Sequence, residues 1–170
     1  MDELEIKFGY GHSYMTLEIP DNISTDIQGA TLHKSLSNPI EAIVSACEDP
    51  YMSKPLSEIL YQFQKELHKS DDYICIVISD ATRAIPTKIL LQAIDTILQK
   101  TSIPDMRIKI LIANGLHRKT TPKELKEIIG RDFLTRFDVI NHDATDHLNL
   151  TYIGENNLGN SIYLNSVYLE

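Results

Sequence analysis

The sequence predicts a three-layer α/β domain with a largely parallel sheet and an N-terminal β-hairpin. Three observations carry this. Two runs of β-branched and other apolar residues, 73–79 and 108–113, read as buried strands, and a helical stretch lies between them. That is a βαβ unit, whose strands lie parallel and adjacent. Residues 89, 90, 93, 94, 97 and 98 between them form the broad apolar stripe of a helix packed on a sheet. At the N-terminus, 4–10 and 13–19 alternate about Gly9 and Gly11, the pattern of a hairpin.

Taken in order, the hairpin is followed by a polar connection, 20–34. Asn38-Pro39-Ile40-Glu41 then starts a helix: Asn38 caps, proline suits the first helical position, and Glu41 stands where a capping partner sits. Ile40, Ile43, Val44 and Cys47 mark its inner face. A second helix opens near Pro55 and keeps helical spacing through Leu56, Ile59, Leu60, Phe63 and Leu67. Ser70-Asp71-Asp72 turns the chain into the first buried strand, and Pro86 opens the next helix. After a loop at 102–105 and the strand 108–113, Thr121-Pro122-Lys123-Glu124 is a capping box, and Gly130 reads as the C-cap of its helix. Residues 137–141, 150–153 and 161–168 read as three further strands. No linker-like stretch divides the chain, so residues 1–170 read as one domain of Rossmann-like type.

The 170 residues carry a formal net charge of −8. No basic stripe exists to neutralise phosphates, so the chain is expected to bind neither nucleic acid nor an anionic membrane. No apolar run approaches spanning length, and the acidic N-terminus lacks a signal-peptide pattern, so a cytoplasmic location is expected. Cys47 and Cys75 read as buried, reduced thiols. Glycine-rich dinucleotide, Walker, G-x-S-x-G and Cys-x-x-Cys motifs are absent from the sequence.

Parallel strands place their following loops on one rim, where ligands of open α/β sheets bind. Asp80 and Arg83 fall in the loop after 73–79, and His117 in the loop after 108–113. A carboxylate, a guanidinium and an imidazole on one rim suit chemistry on a small anion: arginine clamps a carboxylate or phosphate, and histidine exchanges a proton near neutral pH. The competing reading has Asp80 capping its loop with Arg83 bonded to it and His117 as an exposed loop residue. Asn141-His142-Asp143 ends a third strand, and His147 follows four residues after Asp143. These side chains read as turn chemistry or as a metal cluster, although their spacing matches no strong zinc template. His12, His33 and His68 stand in no such context.

Four motifs in order resemble the nickel-pincer lactate racemase family: Tyr10-Gly11, Ser79-Asp80-Ala81-Thr82-Arg83-Ala84-Ile85-Pro86, Asn114-Gly115-Leu116-His117-Arg118-Lys119-Thr120-Thr121, and Asn141-His142-Asp143-Ala144. The resemblance implies a 2-hydroxyacid racemase or epimerase in which a nickel pincer nucleotide accepts a hydride from C2 of the substrate. It implies that His117 is one of two acid/base histidines, that Arg83 binds the substrate carboxylate, and that Asp80 and Thr82 face the cofactor. The second histidine, the cofactor-bearing lysine and a nickel-ligating histidine belong in a P-H-x-x-A-G-F-S-G-G-x-K region and beyond. No P-H or G-G-x-K pattern occurs in this sequence. The chain is therefore expected to be the N-terminal domain without its C-terminal partner domain, inactive alone and holding no cofactor or metal of its own. A stand-alone module that binds a small carboxylate or phosphate is the alternative. A metal hydrolase using His117, His142 and His147 is a third reading.

Overall fold

The structure is a computed structural model, and it describes residues 4–20, 22–24, 26, 34–67 and 72–169. His33, His68 and much of the expected connection 20–34 and of the turn 70–72 lie outside the described residues. The chain's contacts divide into two compact units, 1–35 and 36–170.

The first unit holds the expected hairpin. Strands β1 (Leu4–Tyr10) and β2 (Ser13–Ile19) pair antiparallel from Leu4↔Ile19 to Tyr10↔Ser13. Gly11 takes the positive φ of +58° that so tight a turn demands.

The second unit is α/β. Helix α1 (Pro39–Glu48) starts as its sequence dictates: the Asn38 side chain accepts from the Glu41 N–H at 3.3 Å and donates to the Glu41 carboxylate at 2.9 Å. Helix α2 (Leu56–Glu66) follows Pro55, then strand β3 (Ile74–Ser79) and helix α3 (Thr87–Leu98). A single 3-10 turn at Asp105–Arg107 leads into strand β4 (Ile108–Ala113). Helix α4 (Pro122–Ile128) carries the complete capping box of Thr121 and Glu124. Strand β5 (Asp138–Asn141) closes a three-stranded parallel sheet of order β3-β4-β5.

In register, Ile76 pairs with Ile110 and Ile110 with Val139; one step on, Ile78 pairs with Ile112 and Ile112 with Asn141. The alternation of strand side chains sends these isoleucines to one face. There they join Leu91, Ile97, Leu98, Ile129, Phe133 and Phe137 in the buried core. Two consecutive crossovers of the same hand between neighbouring strands place both connecting helices on that face. Val77 and Leu111 point to the opposite face. Together with Leu164 and Tyr168 they line an apolar groove of about 520 Å³. Cys47 and Cys75 are free thiols, partly rather than fully buried. Burial pushes the Cys75 thiol up from its ordinary value, against the pull of Lys109.

Gly130 follows directly on the C-cap of α4 and stops that helix, as its sequence suggests. A further helix that the sequence did not reveal, α5 (Arg131–Arg136), starts directly after it, and Gly130 between the two takes φ +93° and ψ 157°, a backbone region that glycine alone enters freely. A Cβ there would also come within 3.3 Å of the Lys88 side chain. One expectation is corrected. The last segment is not one long strand. Strand β6 (Leu150–Glu155) pairs antiparallel with β7 (Ser161–Asn165), and the chain then turns into a short helix, α6 (Ser166–Leu169). The Asn165 side chain causes the switch by accepting from the Val167 N–H at 3.0 Å, the bond of a helix cap.

Candidate active site

The loops that leave β3, β4 and β5 share the rim at the carboxyl ends of the parallel strands. The pocket between the first two is about 170 Å³ and is lined by Asp80, Ala81, Thr82, His117, Arg118, Thr120 and Glu124. Asp80 follows β3 directly and is only 6% exposed. A carboxylate so placed needs partners, and both its oxygens have them. Oδ1 accepts from the Thr82 hydroxyl at 2.7 Å and from the Thr82 N–H at 3.3 Å. Oδ2 lies 2.7 Å from His117 Nδ1, across the two loops. The Thr82 hydroxyl first, and His117 second, hold the Asp80 carboxyl below its ordinary value. Asp80 is thus ionised at neutral pH and can only accept, so Nδ1 of His117 must be the donor. In neutral His117 the proton sits on Nδ1 and the lone pair on Nε2, on a side chain 57% exposed.

The sequence-predicted residues come together in part. Asp80, Thr82 and His117 meet in one pocket. Arg83 lies on the same loop but is exposed and does not line that pocket. Its N–H donates to the Asp80 carbonyl. The Asp80 carboxylate caps its own loop through Thr82 and reaches His117, while Arg83 meets Asp80 through its backbone N–H.

His142 and His147 line a second cavity with Ala144, Leu150 and Tyr163. His142 Nδ1 faces the Asn165 side-chain amide at 3.2 Å. Asp143 turns away to Lys119 at 3.0 Å and accepts from Thr145. Thr145 and Lys119 hold its carboxyl well below the usual carboxylate range. Among the described residues no group of three or more His, Cys, Asp or Glu side chains is placed to hold a metal ion. The third reading, a metal centre of His117, His142 and His147, gains no support: His117 follows β4 and pairs with Asp80, whereas His142 and His147 follow β5, and His142 faces Asn165.

Sequence reasoning passed over four residues of this rim. Arg118 forms a two-bond fork with Glu124 at 2.6 and 2.9 Å, and this pairing holds the Glu124 carboxyl far below its ordinary value. Asn114 is buried beneath the loop, and its amide donates to the Arg118 carbonyl and the Thr120 hydroxyl. Asn114, Arg118 and Thr120 lie inside the motif that starts at Asn114, and Glu124 inside the capping box, but nothing in the sequence points to the bonds between them.

With this geometry in hand, the comparisons with known proteins agree. The profile of the lactate racemase N-terminal domain matches residues 10–170. The chain is 32% identical over 143 residues to a lactate racemase of Lactiplantibacillus plantarum, covering 84% of this chain and 31% of that protein. It is 30% identical over 171 residues to one of Thermoanaerobacterium thermosaccharolyticum, covering 97% of this chain and 37% of that protein. The solved lactate racemase apoprotein of the latter organism superposes with a TM-score of 0.71 at 29% identity, over 98% of this chain and 37% of that one. A Thermotoga maritima protein at 18% identity and TM-score 0.54 shares the fold alone. The chain spans about a third of the length of its curated relatives. A match over nearly all of the sequence, with the paired Asp80 and His117 inside it, means that the chain belongs to the lactate racemase N-terminal domain family.

Proposed function

We propose that this domain forms one wall of a racemase-type active site for a 2-hydroxyacid. The observation that carries the reading is the Asp80–His117 pair at 2.7 Å, which leaves His117 Nε2 as a free base at the rim. Nε2 takes the proton of the substrate hydroxyl, and Asp80 stabilises the imidazolium that results. Arg83 forks the substrate carboxylate through two parallel N–H donors. Asp80 and Thr82 face the cofactor side of the pocket.

Oxidation at C2 also releases a hydride, and a nickel pincer nucleotide, the group implied by the family resemblance, supplies a hydride acceptor when bound. In this reading the domain's own contribution is substrate binding and proton transfer. The chain alone is accordingly proposed to be inactive and to need a C-terminal partner domain. Among the described residues no helix is long and apolar enough to cross a membrane. The two free thiols suit the reducing cytoplasm that we propose as its location.

The test is a titration of isotopically labelled protein with D- and L-lactate. Arg83 Nε and His117 ring signals should shift together and saturably. Arg83→Met should weaken the interaction about 10-fold or more, the scale of a lost charge-assisted pair. The unmixed enantiomers should stay unmixed in a chiral assay. No saturable shift with either enantiomer, or shifts indifferent to Arg83→Met, would sink the reading. The exposed Arg83 guanidinium beside the start of α3 also favours a non-catalytic module for a small carboxylate or phosphate. Its mark would be competition by inorganic phosphate with no change in affinity in His117→Gln.

A further inference from the structure

The proton-transfer reading needs His117 held in place, yet His117 sits in an exposed loop with Leu116, 92% exposed, beside it. Exposed loops of small and polar residues move freely unless their backbone is tied down. The ties here come from asparagines at the ends of two strands. Asn114, at the end of β4, accepts the His117 N–H on its carbonyl at 2.9 Å. Its side-chain Nδ2 donates to the Arg118 carbonyl at 3.2 Å and to the Thr120 hydroxyl at 3.1 Å. Asn141, the last residue of β5, accepts from the Thr120 N–H at 2.8 Å and donates back to the Thr120 carbonyl at 3.4 Å.

Thr120 is 5% exposed and receives both asparagines, one on its hydroxyl and one on its backbone. The loop from 115 to 119 is thus closed at both ends on rigid strands.

A further observation shows that this arrangement is not incidental packing. Asn114 is 1% exposed, and its Oδ1 is buried without a hydrogen-bond partner among the described residues. A buried amide with an unpaired oxygen is unfavourable, so an apolar side chain would suit the site better if only packing mattered. The flipped amide would set its oxygen against the Arg118 carbonyl oxygen, so the donor orientation is fixed by chemistry. The Nδ2 bonds to the loop are what the position retains.

We propose that Asn114, Thr120 and Asn141 form a clamp that positions His117 against Asp80, and that they are positioning residues for the proton-transfer group. The inference rests on the reading of His117 given above. It also gives the Asn141-His142-Asp143 segment a purpose. Asn141 fastens one end of the loop and Asp143 reinforces it through Lys119, while His142 faces the apolar groove on the other side of the sheet.

The test reads the His117 ring by 15N NMR in the 170-residue chain, without substrate. Wild type should show the neutral ring protonated at Nδ1. Thr120→Val keeps the side-chain shape and removes the acceptor of Asn114. Asn141→Ala removes both bonds to Thr120. Both variants should lose the Nδ1–H signature in favour of a tautomer mixture, and amide exchange at His117 or Thr120 should quicken about tenfold or more. Thr120→Ser and Asn141→Asp, which keep the hydroxyl and the acceptor, should retain the wild-type signature.

A fall in melting temperature with the ring signature unchanged would assign these residues to stability alone and overturn the clamp. Should Asn141→Ala fail to fold, the Thr120→Val and Thr120→Ser pair decides in the same way. The ring is read without lactate or turnover. The clamp therefore stands or falls separately from the assignment of His117 to proton transfer, which the lactate titration and His117→Gln examine.

Discussion

Ile110→Ala should destabilise the domain by about 3–4 kcal/mol, near the upper part of the range for large-to-small changes in a rigid core. Ile110 is fully buried at the centre of the middle strand, between Ile76 of β3 and Val139 of β5. Its neighbours are pinned by parallel backbone hydrogen bonds on both sides, so the space left behind cannot collapse. Deleting three carbon atoms then costs both their transfer from water and a cavity. In thermal unfolding the midpoint should drop by roughly 10 °C or more. A loss under about 1 kcal/mol would show that the core closes over the gap.

The second large effect is expected at Arg136. Its guanidinium donates two bonds to Asp95, at 2.9 Å each, and two to Asp105, at 2.9 and 3.0 Å. It also lies 4.8 Å from the centre of the Phe137 ring. Asp95 is buried on α3, so Arg136→Ala strands a carboxylate in the interior. Breaking a fully buried pair costs about 3–5 kcal/mol, and partial exposure of Arg136 reduces this to roughly 2–3 kcal/mol. Chemical denaturation of the two proteins measures the difference.

The gap should also depend on pH with a definite sign. Hydrogen bonding from Arg136 is the largest cause holding the Asp105 carboxyl below its ordinary value. A group with a lowered folded pKa contributes stability above its unfolded pKa, about 3.9, and loses that contribution as pH falls through the folded value. The gap between wild type and Arg136→Ala should thus be widest near neutral pH and close as pH falls below about 4. A gap that widens in acid would contradict the assignment.

Much of this architecture was legible because several local signals agreed. The buried runs of β3 and β4, the stripe of α3 and the caps at Asn38 and Thr121 each point to the element that forms. Helix α5 escaped notice because Gly130 stops α4 just ahead of it, and six residues are too few to show a period. Helix α6 escaped because its residues continue the alternation of β7, and only the side-chain bond from Asn165 redirects the backbone. At the site, strand order alone brought Asp80 and His117 to one rim. Which oxygen meets which nitrogen, and the outward placement of Arg83, depend on loop conformation that spacing does not encode. The asparagine clamp was hidden for the same reason: hydrogen-bond partners 6 and 21 residues apart leave no periodic trace.

The phenol of Tyr73, just ahead of β3, donates to the carbonyl of Val167 in α6 across 94 residues of sequence. A bond of that span closes a long loop, whereas β6 and β7 find one another across a short turn. Contacts that are distant along the chain form after local ones, because the entropy of closure must be met before the contact returns anything. Assembly should therefore run from hairpins and βαβ units to the sheet, with α6 docking last. The same bond should be the first to open in the native state, so amide exchange in Ser166–Leu169 is expected to outpace that of Ile110 and Ile112 by orders of magnitude. Equal protection of the two segments would mean that the domain opens only as a single cooperative unit.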